Sequence, residues 1–88
     1  LYSLAILESS YLETLQKNFS LAIDNLNSHD NPNSIYNEQI LILKGEIYDY
    51  GLNDISKAVD TYLEFLDLYP NSIHYDFVRL RLRKLASL

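Results

Sequence analysis

Apolar residues in this chain recur three and four positions apart and are interrupted at a few points by Gly, Pro and Asn, which divides it into five helical segments. Leu4, Ile6, Leu7, Tyr11 and Leu12 fall at such spacings and predict a first helix from Tyr2 to about Thr14. Phe19, Ala22, Ile23 and Leu26 form one stripe and predict a second, ending near Asn27. The segment Ser28-His29-Asp30-Asn31-Pro32-Asn33 is a break, because Pro32 restricts the residue before it, and Ser34 is available to cap the next helix. A third helix is expected from Ser34 to about Tyr50, ended by Gly51. Asn37 does not complete a capping box with Ser34, but Glu38 suits the positive end of the helix dipole. Asn53 or Asp54 caps a fourth helix, in which Ile55, Ala58, Val59, Tyr62, Leu63, Leu66 and Tyr69 repeat at helical spacing until Pro70 stops it. Asn71 or Ser72 starts a fifth, which reaches the end of the chain.

The fifth helix does not confine its apolar residues to one stripe. At about 100° per residue, Ile73, Phe77, Leu80 and Leu88 share one side, Val78, Leu82 and Leu85 a second, and Asp76, Arg79, Arg83 and Ser87 the remaining arc. Packing on the preceding helix buries one apolar side, so the other is expected as an exposed strip that meets a further helix or another subunit. Val78, Arg79, Leu82 and Arg83 are the candidate interface, with the two arginines flanking the contact against acidic residues. The alternative is a self-sufficient cap whose second side is covered by its own groove.

The chain also repeats itself. Asn31-Pro32-Asn33-Ser34-Ile35 returns as Tyr69-Pro70-Asn71-Ser72-Ile73 after 38 residues, and Ser20-Leu21-Ala22-Ile23-Asp24 returns as Ser56-Lys57-Ala58-Val59-Asp60 after 36. The 36-residue shift also lays Ile6-Leu7 on Ile42-Leu43 and the small Ser9 on Gly45. The difference of two residues places a length change between Asp24 and Asn31, so the helix after Ala22 should be shorter than its counterpart after Ala58.

From Gln39 to Ser72 the chain resembles one tetratricopeptide repeat, a helix-turn-helix of about 34 residues. Gly45, Tyr48, Ala58, Tyr62 and Pro70 match the family's small, aromatic, small, aromatic and proline positions in order. Lys44 stands where the family has Leu, Phe65 where it has a small residue, and one extra residue lies between Tyr48 and Ala58. The resemblance implies an all-α, right-handed superhelical stack of antiparallel helix pairs in one domain over residues 1–88. Its parts would be a degenerate first repeat at about 3–34, with Ser9 and Ala22 in the small positions, a second at about 39–72, and a C-terminal helix at about 72–88. It implies close helix approach at Gly45 and Ala58, with Tyr48 and Tyr62 filling the wedge, and it implies protein binding through a concave face. Carried over position by position, that face consists of Gln39, Ile42, Glu46, Asp49 and Tyr50, with Ser3, Ile6, Ser10 and Glu13 on one side and Phe77, Leu80 and Lys84 on the other. Glu46 and Asp49 stand where a basic clamp for a chaperone's carboxylate terminus would need Lys, Arg or Asn, so a chaperone-tail receptor is disfavoured. The closing Tyr69-Pro70-Asn71-Ser72 is similar to repeats common in bacterial envelope proteins.

Charge sharpens the expected partner. Leu1 to Asp76 carries all 12 acids and 3 of the 7 bases, a charge of −9, whereas Phe77 to Leu88 carries Arg79, Arg81, Arg83 and Lys84, a charge of +4. The acidic body argues against nucleic acid, whose binders cluster Lys and Arg over one face, and favours a basic protein or peptide. No apolar run is long enough to span a bilayer and no signal segment is visible, so a soluble chain is expected, in a bacterial periplasm or envelope or in a cytoplasm. The start at Leu1 rather than Met and the apolar end at Leu88 are what a fragment or processed form would show.

No catalytic, metal or cofactor site is expected. The chain has no cysteine, and His29 and His74 stand outside any ligand spacing and read as exposed or capping residues. Glu46 and Asp49, three residues apart, could pair for acid–base work or cation binding, but nothing completes such a site and a solvated acidic face is expected. The eight tyrosines are expected mainly as core wedges. The competing functional class is a structural subunit or fragment of a larger helical assembly, with no peptide groove in use.

Overall fold

The computed structural model describes residues 2–28 and 33–87, and every described element is helical. Helix α1 spans Tyr2–Leu15, α2 Phe19–Asn27, α3 Asn37–Glu46, α4 Ile55–Leu68 and α5 Tyr75–Ala86, and a π turn over Ile47–Gly51 extends α3. The expectations placed on His29, Asn31, Pro32 and Leu88 lie outside the described residues.

Helix α1 ends in a Schellman turn. Lys17 takes a left-handed conformation (φ 63°), the Asn18 N–H donates to the Glu13 carbonyl at 2.8 Å, and the Lys17 N–H donates to that of Thr14 at 3.0 Å. This three-residue connection folds α2 back onto α1.

Helices α3 and α5 begin later than their serines suggest, and for the same reason. The Ser34 hydroxyl accepts from the Tyr36 N–H at 3.1 Å and its carbonyl from the Asn37 N–H at 3.1 Å. The Ser72 hydroxyl accepts from the His74 N–H at 3.0 Å and its carbonyl from the Tyr75 N–H at 3.1 Å. Each serine builds a tight turn before the helix instead of capping it. The Ser34 and Ser72 copies of the repeated segment thus share a backbone device as well as letters. Asp54 does cap α4, its carboxylate accepting from the Lys57 N–H at 3.2 Å, and Asn53 before it takes the left-handed conformation that Asn tolerates (φ 53°).

One hydrophobic cluster runs through all five helices: Ile6 and Leu7 from α1, Ala22, Ile23 and Leu26 from α2, Ile40, Leu41 and Leu43 from α3, Ile47 and Tyr48 from the π turn, Ala58, Tyr62 and Phe65 from α4, and Val78 and Leu85 from α5. Helices pack chiefly in the order α1 on α2, α3 on α4 and α4 on α5, with α1 and α2 touching α3 more sparingly. Ala58 is wholly enclosed, and a Cβ added at Gly45 would lie 2.7 Å from Tyr62 Cδ1, so the α3–α4 seam closes over these small residues. In α1 the enclosed small residue is Ser10; Ser9, aligned with Gly45 by the 36-residue shift, is exposed.

Helix α5 buries the side carrying Val78, Leu82 and Leu85. Val78 is 1% exposed, and Leu82 packs half-buried on the cluster. This corrects the expectation that Val78 and Leu82 form an outer interface. The second apolar side is the uncovered one, with Phe77 63% and Leu80 59% exposed, while Ile73, expected on that side, lies in the turn before α5 and is 92% exposed. Of the flanking arginines, Arg79 lies 3.7 Å from Asp76 on its own helix, and Arg83 is exposed. Position on a helical wheel shows that two apolar sides exist; which one is covered depends on the roll of α5 about its axis.

Candidate functional site

A groove opens between α1, α3 and α5. Gln39, Ile42, Leu43 and Glu46 of α3 form the floor of its first hollow, Tyr11 comes from α1, and Phe77 and Val78 come from α5, with His74 at the rim. That hollow measures about 290 Å³. A second, of about 300 Å³, continues from it and is lined by Tyr11 and Thr14 of α1, Phe19 of α2, Leu43 and Glu46 of α3, and Ile47, Tyr50 and Gly51 of the π turn. Tyr11, Leu43 and Glu46 border both. Gly51 is required where it stands, because a Cβ there would meet Phe19 Cδ1 at 2.7 Å.

Five of the twelve expected concave residues line this groove: Gln39, Ile42, Glu46, Tyr50 and Phe77. Leu80 and Lys84 are exposed on α5 but border neither hollow. Ser3, Ile6 and Ser10, expected as groove positions of α1, are buried, and Glu13 accepts from the Asn18 side-chain amide at 2.9 Å. Tyr11 and Thr14 take the wall instead. Tyr11 has the periodicity of a core residue and no sequence signal separates the two roles; it is exposed here together with Tyr50, whereas Tyr48 and Tyr62 are buried.

Asp49 departs most from expectation. It is 3% exposed, not solvated, and both its oxygens are engaged. Arg81 of α5 donates from Nε to Oδ2 at 2.6 Å and from Nη2 to Oδ1 at 2.7 Å, a bidentate pair. The Tyr62 hydroxyl of α4 donates to the same Oδ2 at 3.1 Å. The Arg81 guanidinium lies 4.7 Å from the centre of the Tyr50 ring, so the exposed ring of the groove covers the buried pair. Hydrogen bonding from Arg81 holds the Asp49 carboxyl below its ordinary pKa against the opposing pull of burial, with help from Tyr62. Burial, and then the Asp49 charge, push the Tyr62 phenol well above its ordinary value.

The π turn explains this placement. The Leu52 N–H reaches the Ile47 carbonyl, five residues back, at 2.8 Å, so the chain turns more widely there than in α3. Asp49 also stands four residues after Gly45, on the face that approaches α4, whereas Glu46 faces the groove. That spacing was the available signal for its burial.

Glu46 has the contrasting environment. Its carboxylate borders both hollows, and among the described residues no Lys or Arg lies within ion-pair distance of it. Desolvation by the groove walls, followed by the charge of Asp49, raises its pKa, and His74 offsets part of that effect. Among the described residues no cluster of His, Asp and Glu could hold a metal ion, and no helix is long and apolar enough to cross a membrane.

Compared with protein-family models, with curated proteins and with solved structures, the chain matches none.

Proposed function

We propose that this chain is a protein-interaction module of the helical-repeat kind, a stack of antiparallel helix pairs of tetratricopeptide type that holds a partner protein or peptide in the α1–α3–α5 groove. The observation that carries the reading is the continuity of that groove, with two hollows sharing Tyr11, Leu43 and Glu46 under aromatic walls left exposed at Tyr11, Tyr50 and Phe77. The repeated serine turns and the seam at Gly45 and Ala58 support the repeat architecture. A binding role rather than a catalytic one is supported by Asp49, whose two oxygens are held by Arg81 and Tyr62 and are not free for proton transfer. A protein partner rather than nucleic acid is supported by the acidic body and by the engagement of Arg81 and Arg79 with carboxylates.

Affinity capture from the native source with the wild-type chain and with Phe77→Glu tests the reading. Phe77 is exposed enough for the change to spare the fold, so groove-bound proteins are expected to disappear from the variant capture. Identical sets of captured proteins would remove the groove from consideration.

A second reading, a structural subunit whose stack continues, is favoured by one observation. Helix α5 leaves Leu80 uncovered on the side away from its packed face, and Ile73 is exposed in the turn before it. Under it, the chain associates through Ile73 and Leu80, and replacing both with Glu abolishes that association.

A further inference from the structure

The groove carries its own description of an occupant. Ile42, Glu46 and Tyr50 succeed one another at four-residue intervals along its floor; Ile42 and Glu46 stand about 6 Å apart at the α-helical rise of about 1.5 Å per residue, and the π turn carries the floor on to Tyr50. Ile42 belongs to the first hollow and Tyr50 to the second, while Glu46 borders both. Aromatic rings stand beside them, Phe77 at the first hollow, Phe19 at the second and Tyr11 at both, while Gln39 and His74 add polar edges to the first and Thr14 to the second. The site is thus two aromatic-walled hollows that share a carboxylate with no Lys or Arg partner among the described residues and with His74 as its basic neighbour.

An extended chain presents every second side chain to one side, at intervals of about 6.6 Å. That interval is close to the step from Ile42 to Glu46 along α3. We infer that the groove binds an extended peptide segment with a Lys or Arg flanked, two residues away on each side, by large apolar residues. The basic side chain meets Glu46 and the apolar ones fill the two hollows. The charge of −9 over residues 1–76 adds attraction at longer range. The inference rests on the groove reading above and names the occupant's chemistry.

A library of random 12-residue peptides displayed on phage and selected against the 88-residue chain is the probe. Enrichment of an apolar–x–Lys/Arg–x–apolar pattern is expected. Synthetic peptides carrying it should bind about tenfold more weakly to Glu46→Gln, the order expected for losing one charge-assisted hydrogen bond. Phe77→Ser should weaken them too, and circular dichroism of both variants should match the wild type. Enriched peptides that lack a basic residue, or that ignore Glu46→Gln while responding to Phe77→Ser, overturn the inference and leave the groove reading standing. Peptides indifferent to both variants, or no enrichment at all, overturn both.

Discussion

Arg81 on α5 and Asp49 in the π turn after α3 are 32 residues apart in sequence and joined by two hydrogen bonds of 2.6 and 2.7 Å, so that an arginine of the last helix neutralises a carboxylate buried in the middle of the fold. Removing one partner is the costly change. Arg81→Met leaves the Asp49 charge buried with the Tyr62 hydroxyl alone and no countercharge, and is expected to destabilise by about 3 kcal/mol, a large part of the total for a domain of this size. Arg81→Lys restores charge without the two-pronged geometry and should fall between. The double variant Arg81→Met, Asp49→Leu should recover most of the loss. Urea unfolding followed by circular dichroism measures all three.

The same pair sets the pH response. Asp49 titrates below its ordinary 3.8 in the folded chain, so its contribution to stability is present above about pH 4 and is lost as pH falls through the lower folded value. Tyr62 titrates above its ordinary 10.0, so its contribution is complete below pH 10 and is lost as pH rises toward the higher folded value. Glu46, raised above 4.5, slopes against Asp49 in acid, because its contribution adds below that value. Urea midpoints from about pH 2 to pH 11 should therefore fall at both ends. In Arg81→Met, burial outweighs the remaining Tyr62 hydrogen bond and raises the Asp49 pKa, and stability should increase as pH is lowered from neutrality toward about 4.

The two apolar sides of α5 should respond oppositely to charge. Val78→Glu with Leu82→Glu places carboxylates against the core and is expected to abolish cooperative thermal unfolding. Phe77→Glu with Leu80→Glu changes exposed positions and should move the midpoint little. Light scattering of the wild type and the second variant then isolates any association through the uncovered side.

Lys17 adopts a left-handed conformation that a side chain disfavours by about 1 kcal/mol. Lys17→Gly keeps the Schellman turn and removes that strain, so a gain in stability of up to about 1 kcal/mol is expected by thermal denaturation.

Periodicity located every described helix because each stripe of Leu, Ile and Tyr is long enough to average over individual residues, and the one proline whose surroundings are described, Pro70, follows Tyr69, the C-cap of α4. It misplaced the starts of α3 and α5 because a serine before a helix can either cap it or build a turn ahead of it, and the choice lies in backbone geometry. Gln39, Ile42, Glu46, Tyr50 and Phe77, expected on the concave face from the family resemblance, line the α1–α3–α5 groove. For Asp49 the four-residue spacing from Gly45 signals burial, but its two-pronged pairing with Arg81 of α5 joins positions 32 residues apart and has no mark in the sequence. Val78 and Phe77 are adjacent and both apolar, and what separates core from surface there is the roll of α5, set in part by Arg81 reaching for Asp49.

Oδ2 of Asp49 accepts from Tyr62 on α4 and from Arg81 on α5, so one oxygen atom joins three consecutive stretches of chain. The α1–α2 hairpin has no stake in that junction and touches α3 sparingly. The molecule is therefore divided unevenly along its length. In native-state hydrogen exchange, the amides of α3, α4 and α5 should lose protection together, as one block released when the junction breaks, while those of α1 and α2 open earlier and separately, so that the groove wall carrying Tyr11 can swing away from a floor that stays folded.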